Sequence, residues 1–96
     1  MDPLSNAEIR SLKARAQRLK ATLKVGKEGL SPGFLSALDH VLKHHELVKV
    51  KFDDLKEQKK ELAPKMAEAC NSHLIMLVGN VAVLFRRKPV EESGDE

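Results

Sequence analysis

The 96-residue chain has no tryptophan or tyrosine and only three phenylalanines, Phe34, Phe52 and Phe85. The first two fall on core positions of the patterns described below, so too few rings remain for a surface on which successive nucleotide bases stack. One cysteine, Cys70, excludes an internal disulfide and a cysteine-rich zinc framework, and it fits a reducing compartment. No run approaches the roughly 18 apolar residues of a membrane span, and Met1-Asp2-Pro3-Leu4 lacks the basic-then-apolar pattern of a secretory leader, so a soluble, cytoplasmic protein is expected. Neither the P-loop pattern nor the GxGxxG fingerprint occurs, which leaves nucleotide hydrolysis unsupported. A chain of this length has material for one core and little for an enclosed substrate cavity.

Acid is missing from one stretch. Between Ile9 and Lys27 stand seven cations, Arg10, Lys13, Arg15, Arg18, Lys20, Lys24 and Lys27, and no carboxylate. Glu91, Glu92, Asp95 and Glu96 crowd the other end, so residues 1–88 hold seventeen cations against ten carboxylates, a net charge of +7. That balance favours a polyanionic partner. We read residues 1–88 as a single domain and 89–96 as an acidic tail with too little apolar content to fold.

Ser5-Asn6-Ala7-Glu8 is a capping box, and Ile9, Leu12, Ala16 and Leu19 form an apolar stripe that predicts an amphipathic basic helix ending near Ala21. Thr22-Leu23-Lys24-Val25 alternates as a short strand and runs into Gly26-Lys27-Glu28-Gly29. Ser31 and Pro32 open a second helix whose stripe is Phe34, Leu35, Leu38, Val41 and Leu42, with His44 and His45 in its last turn. Leu47 to Phe52 alternates strictly and reads as a strand. Asp53 or Asp54 is the expected cap of a third helix, kinked or split at Pro64 and closed by Asn71 in the left-handed region. Residues 74–78 and 81–85, joined by Gly79-Asn80, form a hairpin. The order α-β-α-β-α-β-β predicts an α/β fold, a four-stranded mixed sheet packed with helices on at least one face.

Two glycines around Lys27 let a backbone approach phosphate closely, as in the GxxG loop of KH domains, although the string alone is more often an ordinary turn. Lys24, Lys49 and Lys51 are expected on the sheet face away from the core. With Arg86, Arg87 and Lys88 at the end of the last strand and the basic residues of the first helix, they suggest a cationic surface suited to phosphates and 2′-hydroxyls of structured RNA. His40 and His44 have a metal-compatible spacing but no clear third ligand, and Cys70 falls on a buried stripe. No metal site, cofactor or catalytic constellation is expected.

Leu23-Lys24-Val25-Gly26-Lys27-Glu28-Gly29-Leu30, His44-His45-Glu46-Leu47-Val48-Lys49-Val50, and Val78-Gly79-Asn80 leading into Val83-Leu84-Phe85-Arg86 together resemble the CRM domain (chloroplast RNA splicing and ribosome maturation), in its stand-alone bacterial YhbY-like form. The resemblance covers residues 5 to about 88. It implies a non-catalytic RNA-binding domain, similar in fold to the C-terminal domain of translation initiation factor three and associated with precursors of the large ribosomal subunit. It also implies that Gly26, Lys27, Glu28 and Gly29 contact RNA, flanked by basic residues such as Arg10, Lys13 and Lys20. Met76 stands where a polar residue is expected and Asn80 where a basic one is. A monomer is the default, and the rival function is an adaptor docking on a ribosomal protein.

Overall fold

The computed structural model describes residues 3–87, so the acidic tail and Lys88 lie outside the described residues. Three helices, α1 (Asn6–Ala16), α2 (Pro32–His44) and α3 (Lys59–Ala69), alternate with strands β1 (Leu23–Val25), β2 (Leu47–Phe52), β3 (His73–Val78) and β4 (Val81–Phe85). The sheet order is β1-β2-β4-β3. β1 lies parallel to β2, and β4 is antiparallel to both its neighbours, which makes the sheet mixed as expected.

Local chemistry sets most boundaries. The Ser5 hydroxyl accepts from the Glu8 amide at 3.1 Å while the Glu8 carboxylate accepts from the Ser5 amide, the reciprocal capping box. Ser31 caps α2 through the Phe34 amide, with Pro32 at the first helical position. Asn71 closes α3 at φ 53°, and the Ser72 and Asn71 amides reach back to the carbonyls of Ala67 and Glu68, the Schellman pattern. Gly79 has φ 58° and Asn80 a negative φ, as a type II′ hairpin loop requires.

Three expectations need correction. α1 ends at Ala16 rather than near Ala21, and the chain then tightens into turns closed by the amides of Gln17, Arg18 and Leu19. The reason is tertiary: the Lys49 ammonium takes the Leu19 carbonyl at 3.1 Å and the Thr22 amide pairs with the Lys49 carbonyl, so these residues are drawn toward the sheet edge. The third helix is not capped by Asp53 or Asp54. A 3₁₀ turn at Lys56–Gln58 precedes it, entered through Leu55 in the left-handed region at φ 54°. α3 itself continues through Pro64 as one helix, so it is not split in two there. The hydrogen bond lost there belongs to the Lys60 carbonyl in the exposed first turn, and complete burial holds Ala63 in place despite the following proline.

Strand alternation divides the apolar residues between two faces. Val25, Val48, Val50, Phe52, Ala82 and Leu84 meet Leu38 and Leu42 of α2 and Ala63, Met66 and Ala67 of α3. On the other face Leu47, Val83 and Phe85 meet Leu12 and Ala16 of α1. A bulge in β3 between Leu74 and Met76 brings Ile75 and Met76 both against this second cluster. Met76, expected to be polar, is apolar because α1 covers it.

Candidate nucleic-acid interface

The 26–29 segment is a tight turn at the carboxyl end of β1. The Gly29 amide donates to the Gly26 carbonyl at 3.1 Å, which leaves Lys27 and Glu28 at the exposed tip. Its two glycines differ. Gly26 is exposed, and a Cβ there would meet nothing within 4 Å. Gly29 is buried at φ +64°, and a Cβ would come 3.1 Å from Leu55 Cδ1. Gly29 is held to glycine by its positive φ and by the close approach of Leu55, whereas Gly26, Lys27 and Glu28 are the exposed part of the turn.

Directly after β2, Asp53 and Asp54 both donate their amides to the Val25 carbonyl, so the turn is held beside the end of the neighbouring strand. Register places Lys24 opposite Lys51. Lys49 lies two residues back on the same face, its ammonium bound to the Leu19 carbonyl. The Asp53 carboxylate stands between Lys24 and Lys51, 3.9 and 4.0 Å from their nitrogens. Lys20 joins Lys49, Leu19 and His45 around a shallow groove of about 250 Å³. Lys24, Lys49 and Lys51 are thus brought together on the face that carries α1, next to the Lys27 turn. Arg10 and Lys13 are exposed on α1 itself.

Arg86 does not join this surface. It projects to the α2/α3 face, where its guanidinium donates to Asp39 Oδ1 at 2.8 Å, the Cys70 carbonyl at 2.9 Å and the Asp39 carbonyl at 2.9 Å. Phe85 points to the α1 face, so alternation sends Arg86 the other way. Arg87 returns to the α1 face, but it binds Glu8 at 2.6 Å and lies over the Phe85 ring. The Arg87 hydrogen bond, followed by that of the Ser5 amide, holds the Glu8 carboxyl below its usual range; Arg86 does the same for Asp39. Burial, then the nearby Asp39 charge, pushes the Cys70 thiol up, away from nucleophilic reactivity.

The histidines pack or face water. His40 and His44 meet edge to face at 4.7 Å between ring centroids, and His73 stacks on Phe85. Among the described residues no group of three or more histidines, cysteines or carboxylates is placed to hold a metal, and no helix is long and apolar enough to cross a membrane. Asn80, where a basic residue was expected, accepts from Lys59 at 3.1 Å, so a lysine of α3 reaches the hairpin tip instead.

Sequence reasoning missed Asp53 as the partner of two lysines, and it missed the exposed Val78. The two-residue hairpin loop already implied that Val78 pairs with Val81. The pairing of β4 with β2, which no local pattern announces, sets both beside Lys51.

The CRS1/YhbY (CRM) domain profile matches residues 4–86. A probable RNA-binding protein of Methanocaldococcus jannaschii is 41% identical over 80 residues, a match covering 80% of this chain and 59% of the archaeal protein's length. An RNA-binding protein of Haemophilus influenzae is 31% identical, with 97% of this chain and 93% of the relative covered. The solution structure of a hypothetical Staphylococcus aureus protein, suggested to bind RNA, superposes with a TM-score of 0.78 at 28% identity, covering 92% of this chain and 93% of that one. The turn, the strand order and the hairpin thus lie within one continuous match, and the chain belongs to the CRS1/YhbY (CRM) domain family.

Proposed function

We propose that this chain is a non-catalytic RNA-binding protein that holds ribosomal RNA through the exposed part of the 26–29 turn and the neighbouring lysines, and that it acts in assembly of the large ribosomal subunit. The observation that carries the reading is the placement of the Lys27 tip beside Lys24 and Lys51, on a chain whose family relatives are named for RNA binding. An exposed turn with little side-chain bulk lets backbone amides and one ammonium approach the same phosphate. All three phenylalanines are at least partly buried, which favours backbone contacts over base stacking.

Binding that neutralises about five phosphates should show a log–log salt slope near −3.5 to −4.5. Gly26→Asp is the clean probe of the turn, because it adds charge where there is space; Gly29→Asp confounds binding with backbone strain. G26D is expected to weaken RNA binding roughly tenfold with an unchanged circular dichroism spectrum. Equal affinity in a folded G26D protein overturns the role of the turn. In gradient lysates the protein should co-migrate, in an RNase-sensitive manner, with a particle lighter than the mature large subunit. A salt-insensitive complex with a purified ribosomal protein and no RNA association would favour the adaptor reading instead.

A further inference from the structure

Register across the sheet produces a row that no sequence motif marks. Lys24 pairs with Lys51, Lys51 with Val81, and Val81 with Val78, so these four side chains leave the same face in one line across all four strands. The row is roughly 14 Å long at the usual strand spacing. α1 packs farther along this face, over Leu47, Val83 and Phe85, and leaves Lys24, Lys51 and Val78 exposed and Val81 half-buried between them. Val78 is 63% exposed, the most exposed large apolar side chain among the described residues. One half of the row is cationic and the other apolar, with the Lys27 turn at the cationic end.

The cationic half already holds an oxyanion. Asp53 sits between the two ammoniums at 3.9 and 4.0 Å, with all three side chains 45–66% exposed. Exposed pairs at such distances contribute little and exchange readily. A phosphodiester has the same charge as this carboxylate and likewise presents two acceptor oxygens, so it can replace Asp53 between the lysines. The ribose or base of the same strand then lies toward Val81 and Val78, which offer an apolar surface without hydrogen-bonding groups.

We infer that the row Lys24, Lys51, Val81 and Val78 is a second RNA contact beside the turn, in which one phosphate displaces Asp53 and the adjoining nucleoside rests on the two valines. The inference deepens the RNA-binding reading and rests on it. It makes Asp53 a built-in competitor of RNA, and it makes this contact tolerant of base sequence, since valine reads no base edge.

The test measures fluorescence anisotropy of a labelled mixed-sequence RNA hairpin with a single-stranded extension across a salt series. Asp53→Asn should tighten binding severalfold. Glu61→Gln makes the same change in net charge at the Lys65 pair on α3 and should leave affinity nearly unchanged. The Lys24→Ala/Lys51→Ala protein should bind roughly tenfold more weakly with a salt slope shallower by about 1. Val78→Thr, close to isosteric at an exposed site, should weaken binding severalfold with the slope unchanged. If D53N and E61Q behave alike, or if V78T binds as wild type does, the row is overturned while the RNA reading stands. Failure of the wild type to bind any RNA under low salt overturns the RNA reading itself, and the inference with it.

Discussion

Toward α2 and α3 the sheet presents Val25, Val48, Val50, Phe52, Ala82 and Leu84, each no more than 2% exposed. Toward α1 it presents Leu47, Val83 and Phe85, and then the exposed Lys24, Lys51 and Val78 with the half-buried Val81. The consecutive arginines after β4 repeat the contrast. Arg86 is 19% exposed and makes three hydrogen bonds on the first face; Arg87 is 47% exposed and makes one on the second. One face is closed and supplies most of the buried apolar surface. The other is only partly closed by a single helix, and that leaves charge free for a partner.

The largest test of this contrast is cavity formation. Phe52→Ala should cost about 3–5 kcal/mol in chemical denaturation. Leu12→Ala in the smaller α1 cluster should fall near the lower limit for its type, about 2 kcal/mol. Equal losses would show that α1 is as integral to the fold as α2 and α3.

A smaller effect separates the arginines. Arg86→Ala takes the guanidinium donor from the Cys70 carbonyl and the Asp39 carboxylate and should cost about 1–3 kcal/mol, whereas Arg87→Ala should barely move the denaturation midpoint, because its ion pair with Glu8 is exposed. The reverse order would mean that the α1 face is fastened by Arg87.

The smallest effect is the pH dependence. Glu8 and Asp39 have carboxyls held below their ordinary range, so as pH falls the unfolded chain takes up these protons first. The stability they contribute is present above the ordinary carboxylate range and is lost as pH drops through their lowered folded values. Thermal midpoints measured across the acid range should decline, with a shallower decline in Asp39→Asn and Glu8→Gln. An unchanged acid limb in both variants would show that neither pair matters to folding.

Caps, periodicity and turn residues were legible because they act over three or four neighbouring residues: Ser5 with Glu8, Ser31 with Phe34, the left-handed Asn71, and β2 from Leu47 to Phe52 residue for residue. The element order and the mixed four-stranded sheet followed from them. Alternation alone likewise set Lys24, Lys49 and Lys51 on the sheet face opposite Val25, Val48 and Val50. The end of α1 was misplaced because Leu19 has helical spacing, yet Lys49, thirty residues away, takes its carbonyl. Of the two outcomes expected at Pro64, a kink or a split, the split does not occur, because the buried Ala63 and Met66 hold α3 continuous from outside the segment.

The sequence by itself determined the type and order of the helices and strands and which side of each is apolar, since both depend on short-range backbone geometry, but not where α1 ends or α3 begins. Only the tertiary structure decided what those sides meet. Strand pairing aligned Lys24, Lys51, Val81 and Val78 in one row, parity turned Arg86 inward, and Leu55 packed close to Gly29, leaving Gly26, Lys27 and Glu28 as the exposed part of the turn. Each of these contacts joins residues far apart in the chain, and side-chain patterns read over a few positions carry no information about which distant strand becomes the neighbour.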